Sequence, residues 1–229
     1  MIKSKKEYLY YLEADRVAKS LPSKINLLQR AKNILFPDYI WEFQKTLRKL
    51  EYFINCKKGI PALLKRYFIT RRFKKLSFKL GYTIPPNVFG PGLSIAHYGT
   101  IIVNGKAKIG ANCRLHACVN IGTKAGYSGK APTIGHNCYI GPGAKIFGDI
   151  NIANGTAIGA NSVVTKSFFE QNIAIAGVPG KKISEVDTLD FLIPATQIIK
   201  KGLHVKGDLS GIPAIELKKI LKDDGVLDK

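Results

Sequence analysis

A chain of 229 residues with 45% hydrophobic content can bury a sizeable core, as one large domain or as a repeat domain with appendages. Its formal net charge of +20 points to an anionic partner: a phosphorylated cosubstrate, an acidic membrane surface or nucleic acid. The opening MIKSKKEYLYYLEADR puts charges where a signal peptide needs an apolar run, no stretch of about 18 apolar residues exists to span a bilayer, and the four cysteines form no CxxC pair, so the expectation is a reduced, cytoplasmic chain without metal.

Residues 1–80 read as an α-helical N-terminal domain. Apolar residues fall at helical spacing in Ile40, Phe43, Leu47, Leu50 and Ile54. Asp38 is placed to cap one helix, and Gly59 before Ile60 and Pro61 to break the chain, which predicts a helical hairpin. The following LLKRYFITRRFKKLSFKLG interleaves Lys and Arg with Tyr67, Phe68, Phe73 and Phe78. The favoured reading is a helix that packs its aromatics on the next domain and keeps its cations in water. Peripheral contact with an anionic membrane ranks second, and nucleic acid is not expected because no nucleic-acid module signature is present.

Residues 81–183 read as the main domain. Pro85, Pro86 and Pro91 exclude a helix at its start. His97 lies there between small residues; counting back six from Val103 puts it in an inward slot, so a buried histidine and a functional one are both open. From Val103 an aliphatic residue recurs every sixth position through Ile109, Leu115 and Ile121, and again through Ile134, Ile140, Ile146, Ile152, Ile158 and Val164. That period belongs neither to a helix nor to a single strand. It fits short flat segments, three to a coil, whose aliphatics stack inward as successive coils climb about 4.8 Å. The fold class is therefore mainly β, a parallel β-helix of hexapeptide repeats, rather than a sandwich of short strands. Cys113 and Cys138 take inward slots as small apolar residues. His116 stands where the repeat elsewhere has glycine or alanine, and points away from the core. The two runs are thirteen positions apart, one more than two repeats need, so GTKAGYSGKAPT is expected as a loop thrown out from the coil. Residues 184–229 lose the period and read as a C-terminal cap over the open sheet edge, with a short helix over 214–222.

The segment from Leu93 to Ile183 resembles the hexapeptide-repeat acyltransferases with a left-handed β-helix, most of all the serine O-acetyltransferases and related sugar O-acetyltransferases. The matching pieces are LSIAHYGTIIVNG, VNIGT, IGHNCYIGPGAKIFGDI, IGANSVVTK and AIAGVPGKKI, about ninety of the 229 residues. The resemblance implies a homotrimer with acetyl-CoA bound between subunits and a histidine as general base. His97 matches that histidine, and His116 is a candidate second one. Two departures stand out: Thr83 and Pro85 replace the Asp and His of an Asp-Ile-His-Pro motif, and Ala131 stands where a second catalytic histidine precedes a proline. For acetyl-CoA, the resemblance places the pantetheine along Gly141, Pro142 and Ala160, with Lys166, Lys181 and Lys182 near the phosphates. The expected activity is O-acetylation of a saccharide hydroxyl in surface-polysaccharide synthesis, on a phosphorylated or lipid-linked glycan. L-serine is the alternative acceptor, and a binding scaffold without turnover the remote one.

Overall fold

The computed structural model describes residues 1–126, 129–203 and 210–227; Tyr127 and Ser128 of the expected loop lie outside the described residues. Four helices open the chain: α1 (Lys5–Ala18), α2 (Leu27–Leu35), α3 (Tyr39–Cys56) and α4 (Ile60–Leu80). Asp38 caps α3 by accepting the Trp41 N–H at 3.0 Å, and Gly59 takes the positive φ of 86° that lets α4 turn back on α3. The inward face of α4 is Ile69, Phe73, Leu76 and Leu80, one helical stripe. Phe73 stacks on Phe43 of α3 with ring centroids 5.3 Å apart. The expectation that the α4 aromatics all pack inward is corrected: Tyr67, Phe68 and Phe78 lie off that stripe, and Phe78 is 92% exposed. Helix α2 carries Leu27, Leu28, Ile34 and Leu35 exposed. Among the described residues, no helix is long and apolar enough to cross a membrane.

The hexapeptide segments wind into a left-handed parallel β-helix with three flat sides. The first side stacks β1 (Tyr82–Thr83), β3 (Ile101–Val103), β6 (Asn120–Gly122), β9 (Lys145–Phe147) and β12 (Val163–Val164). The second stacks β4 (Lys108–Ile109), β7 (Thr133–Ile134) and β10 (Asn151–Ile152). The third stacks β2 (Ser94–Ile95), β5 (Arg114–Leu115), β8 (Tyr139–Ile140), β11 (Ala157–Ile158) and β13 (Ile173–Ala176), closed by β14 (Lys181–Glu185). All neighbours are parallel except β13 and β14. Every aliphatic of the two runs is buried, and Cys113 and Cys138 are buried with them. Thr133 pairs with Asn151, eighteen residues on, but Lys108 pairs with Thr133, twenty-five on. Ile121 and Ile134 thus lie on successive sides of one coil, and the loop is seven residues of insertion rather than a spare repeat.

The helices are locked to the first coil through one buried guanidinium. Arg48 of α3 donates to both carboxylate oxygens of Asp15, at 2.7 and 3.1 Å, and to Glu51 at 3.0 Å. It also donates to the carbonyls of Phe89 and Gly90. Asp15 in turn accepts the N–H groups of Gly92 and Leu93, and Glu51 accepts that of Asn87. At the other end β14 pairs with β13, and the chain then runs back down one corner. Thr188 bonds the Asn137 carbonyl, and Thr196 and Gln197 of α5 (Ala195–Lys200) bond Asn112. It ends with the helix Ala214–Asp223, whose Leu217 and Leu221 share a second small core with Ala14 and Val17 of α1.

Removing one member of a buried, fully bonded charge cluster leaves the others uncompensated, which costs about 3–5 kcal/mol. Arg48→Met is therefore expected to lower unfolding stability by about that amount in urea titration; a loss under about 1 kcal/mol, the level of an exposed pair, contradicts the clamp.

Candidate active site

The third side of the coil carries the candidate site. Strand residues alternate inward and outward, so Leu115 and Ile140 go to the core while Arg114, His116 and Tyr139 face out. His97 follows β2. Ser94 pairs with Arg114 and Ile95 with Leu115, twenty residues on rather than eighteen, so the inward slot belongs to Ile95 and His97 lies beyond it, exposed. The buried-histidine reading is corrected by this two-residue excess. The backbone of His97 is fixed by the first strand of the coil: the hydroxyl of Tyr82 in β1 donates to its carbonyl at 2.8 Å. Burial, with Asp38 nearby, pushes the Tyr82 phenol well above its usual range, so it keeps the proton it donates.

A file of rings climbs from His97. Its imidazole centroid lies 5.8 Å from that of His116, which lies 5.0 Å from Tyr139, which meets Phe191 of the returning chain edge-on at 5.1 Å. His116 Nε2 is buried without a hydrogen-bond partner. Burial lowers the His116 pKa, and the Arg114 and His97 charges lower it further, so this imidazole is neutral near pH 7. Two imidazoles side by side, one exposed and one kept neutral, can take a proton from a hydroxyl laid across them.

The other expected residues spread along the coils. Gly141 is buried with both backbone groups in use: its N–H donates to Ile158 at 2.8 Å and its carbonyl accepts from Ala144 at 3.3 Å. A Cβ there would lie 2.7 Å from the Ile158 oxygen, so its glycine serves the close approach of two coils. Pro142 and Ala160 are exposed at the neighbouring corner. Lys166 stands 5.4 Å over the Phe168 ring, Lys182 is paired with Glu170 at 2.5 Å, and Lys181 is exposed on β14. Thr83 is exposed on β1, and Ala131 is buried where the loop rejoins the coil. A cavity of about 1030 Å³ opens under that loop, against Phe147 and Asp149. Among the described residues, no cluster of three or more His, Cys, Asp or Glu is arranged to hold a metal. Arg114, Tyr139 and Phe191 carry no sequence motif; the one signal is that Arg114 of β5 and His116 just after it, two apart in extended chain, share a face.

No protein-family model matches the chain. It is 33% identical over 135 residues to a serine acetyltransferase of Helicobacter pylori J99, covering 57% of this chain and 78% of that one. To the serine acetyltransferase of Synechococcus elongatus it is 34% identical over 116 residues, which spans only 47% of that relative. The solved structure of Brucella abortus serine acetyltransferase in complex with coenzyme A aligns with a TM-score of 0.62 at 26% identity, over 80% of this chain and 70% of that one. With 78% of the Helicobacter pylori relative covered at 33% identity and the coil architecture shared, the chain belongs to the serine acetyltransferase family of hexapeptide-repeat acyltransferases.

Proposed function

We propose that this chain transfers the acetyl group of acetyl-CoA to a hydroxyl, with His97 as general base. The observation that carries the reading is the exposed His97 imidazole set 5.8 Å from His116 on the open third side of the coil. An alcohol is a weak nucleophile until its proton leaves. As the hydroxyl oxygen bonds the thioester carbon, its proton passes to His97. The tetrahedral intermediate then collapses, the C–S bond breaks, and the departing thiolate takes the proton back from the imidazolium. In this reading pantetheine lies along Pro142 and Ala160, the phosphates fall near Lys166 and Lys181, and a homotrimer brings the cleft together; Gly141 and Lys182 contribute through coil stacking and the Glu170 pair.

L-serine is the first acceptor, since the matched relatives bear that name. One observation keeps the saccharide hydroxyl as a second reading: Thr83 is exposed and Ala131 buried where the family pattern carries an aspartate and a second histidine.

Thiol release from acetyl-CoA in the presence of L-serine, nucleotide sugars or oligosaccharides tests both. His97→Ala is expected to lower kcat/KM about 10²–10⁴-fold with the true acceptor, and an unchanged rate contradicts the assignment. Release with sugars but not serine selects the second reading. The His116 imidazole is expected to titrate below the ordinary 6.5, and Arg114→Met to move it upward by removing a nearby positive charge. An NMR titration in which His116 charges at or above 6.5 in the native protein contradicts a neutral partner for His97.

A further inference from the structure

Two cations near the histidines are incompletely paired: Lys19 makes only long contacts, and the Arg114 Nε has no partner. Lys19 directly follows α1, and its side chain is only 10% exposed. Its ammonium finds the Ile95 carbonyl at 3.4 Å and the Asp38 carboxylate at 3.9 Å, both long for a buried charge. The Ile95 carbonyl that Lys19 reaches belongs to β2, whose Ser94 and Ile95 pair with Arg114 and Leu115 of β5, so Lys19 comes in beside the strand that carries Arg114. Burial lowers the Lys19 pKa, opposed by Asp38 and Asp15, and the Arg114 charge acts in the same direction as burial. Asp15 is already committed to Arg48 and two backbone N–H groups. Arg114 has its Nε buried with no hydrogen-bond partner, and among the described residues no carboxylate pairs with its guanidinium. A buried cation without a partner is costly, and a guanidinium fork fits the paired oxygens of a carboxylate or phosphate.

From this we infer that Lys19 and Arg114 form an anion-binding subsite that holds a carboxylate or phosphate of the acceptor beside His97. The inference rests on the acetyl-transfer reading for its setting. Ile95, whose carbonyl Lys19 touches, is two residues from His97, and Arg114 leaves β5 on the same face as His116. The subsite thus lies one side chain away from the reacting hydroxyl. The phosphates of acetyl-CoA lie a whole pantetheine arm from its thioester, so an anion this close to His97 belongs to the acceptor. Arg114 and Lys19 are positioning residues: they fix the anionic end of the acceptor so that its hydroxyl meets the imidazole. L-serine, or a sugar bearing a carboxylate or phosphate near the acetylated hydroxyl, meets this requirement; a neutral sugar does not.

The test reads binding apart from turnover. Inorganic phosphate and L-serine are titrated separately into the full chain labelled at histidine, following the His97 and His116 imidazole resonances. Saturable shifts at His116 are expected with both probes. Their Kd is expected to rise about tenfold to a hundredfold in Arg114→Met, the effect of losing a charge-assisted hydrogen bond, and less in Arg114→Lys, with Lys19→Met as the second variant should Arg114→Met not fold. L-serinamide, which lacks the carboxylate, is expected to bind at least about tenfold more weakly than L-serine. No saturable shift, or equal Kd in native and Arg114→Met protein, overturns the subsite. Displacement of phosphate by CoA but not by pantetheine assigns the cations to the cosubstrate and likewise overturns it. If phosphate binding depends on Arg114 while no acceptor is ever acetylated, the subsite stands and the acetyl-transfer reading falls.

Discussion

Everything in this molecule depends on one constraint: each coil must satisfy its backbone through the next while its inward side chains stack on those above and below. The ladder N–H groups of one coil donate to carbonyls of the next at 2.8–3.2 Å along the third side, as in Arg114 to Cys138, His116 to Ile140 and Gly141 to Ile158. At that spacing the interior accepts only aliphatic or small residues, and those positions are buried throughout. Corners are turned by left-handed residues, Asn112, Asn137 and Asn172 on one edge and Cys118 and Asn161 on another, whose short side chains tolerate positive φ. A packed tube leaves no room for substrate inside. Chemistry has to lie on its outer faces and at its irregular coils.

The open ends of such a stack expose unpaired strand groups, and this chain covers both. Below, the helical hairpin docks through the Arg48 cluster, and Gln44 adds a bond to the Leu93 carbonyl at 2.7 Å. Above, β14 pairs antiparallel on β13. The chain after β14 then straps the coils from Asn172 through Asn137 to Asn112 before it meets α1. The face that carries His97 and His116 lies between these two devices. Tyr82 of β1 holds the His97 backbone, Lys19 comes from the helical side, and Phe191 of the strap closes the ring file. Docking of the ends is thus also what shapes the site.

The period of six was legible because the stacking constraint acts locally: one aliphatic per side, read directly from Val103 to Val164. The Asp38 cap and Gly59 break were legible for the same reason, as were the closing helix and the inward Cys113 and Cys138. What the period misplaced lay where closure departs from eighteen residues. The first coil spends twenty between Ser94 and Arg114, which moves His97 from the expected inward slot to the surface. The insertion after Gly122 hides that Ile121 and Ile134 are adjacent sides. The α4 aromatics were overcounted because composition does not say which stripe of a helix meets a neighbour. Lys19 and Arg114 were illegible for a plainer reason: they are far apart in sequence, and only the contact of Lys19 with the Ile95 carbonyl sets it beside the strand paired with Arg114.

The functional proposal stands on acetyl transfer at His97, on the outer face of the first coil. A crystal structure of the full chain with CoA bound tests this most directly. The CoA sulfur is expected beside a His97 imidazole, with the ring file of His116 and Tyr139 forming the wall of the acceptor space. A fully ordered CoA whose sulfur has no His97 from any protomer next to it rules out transfer at this histidine.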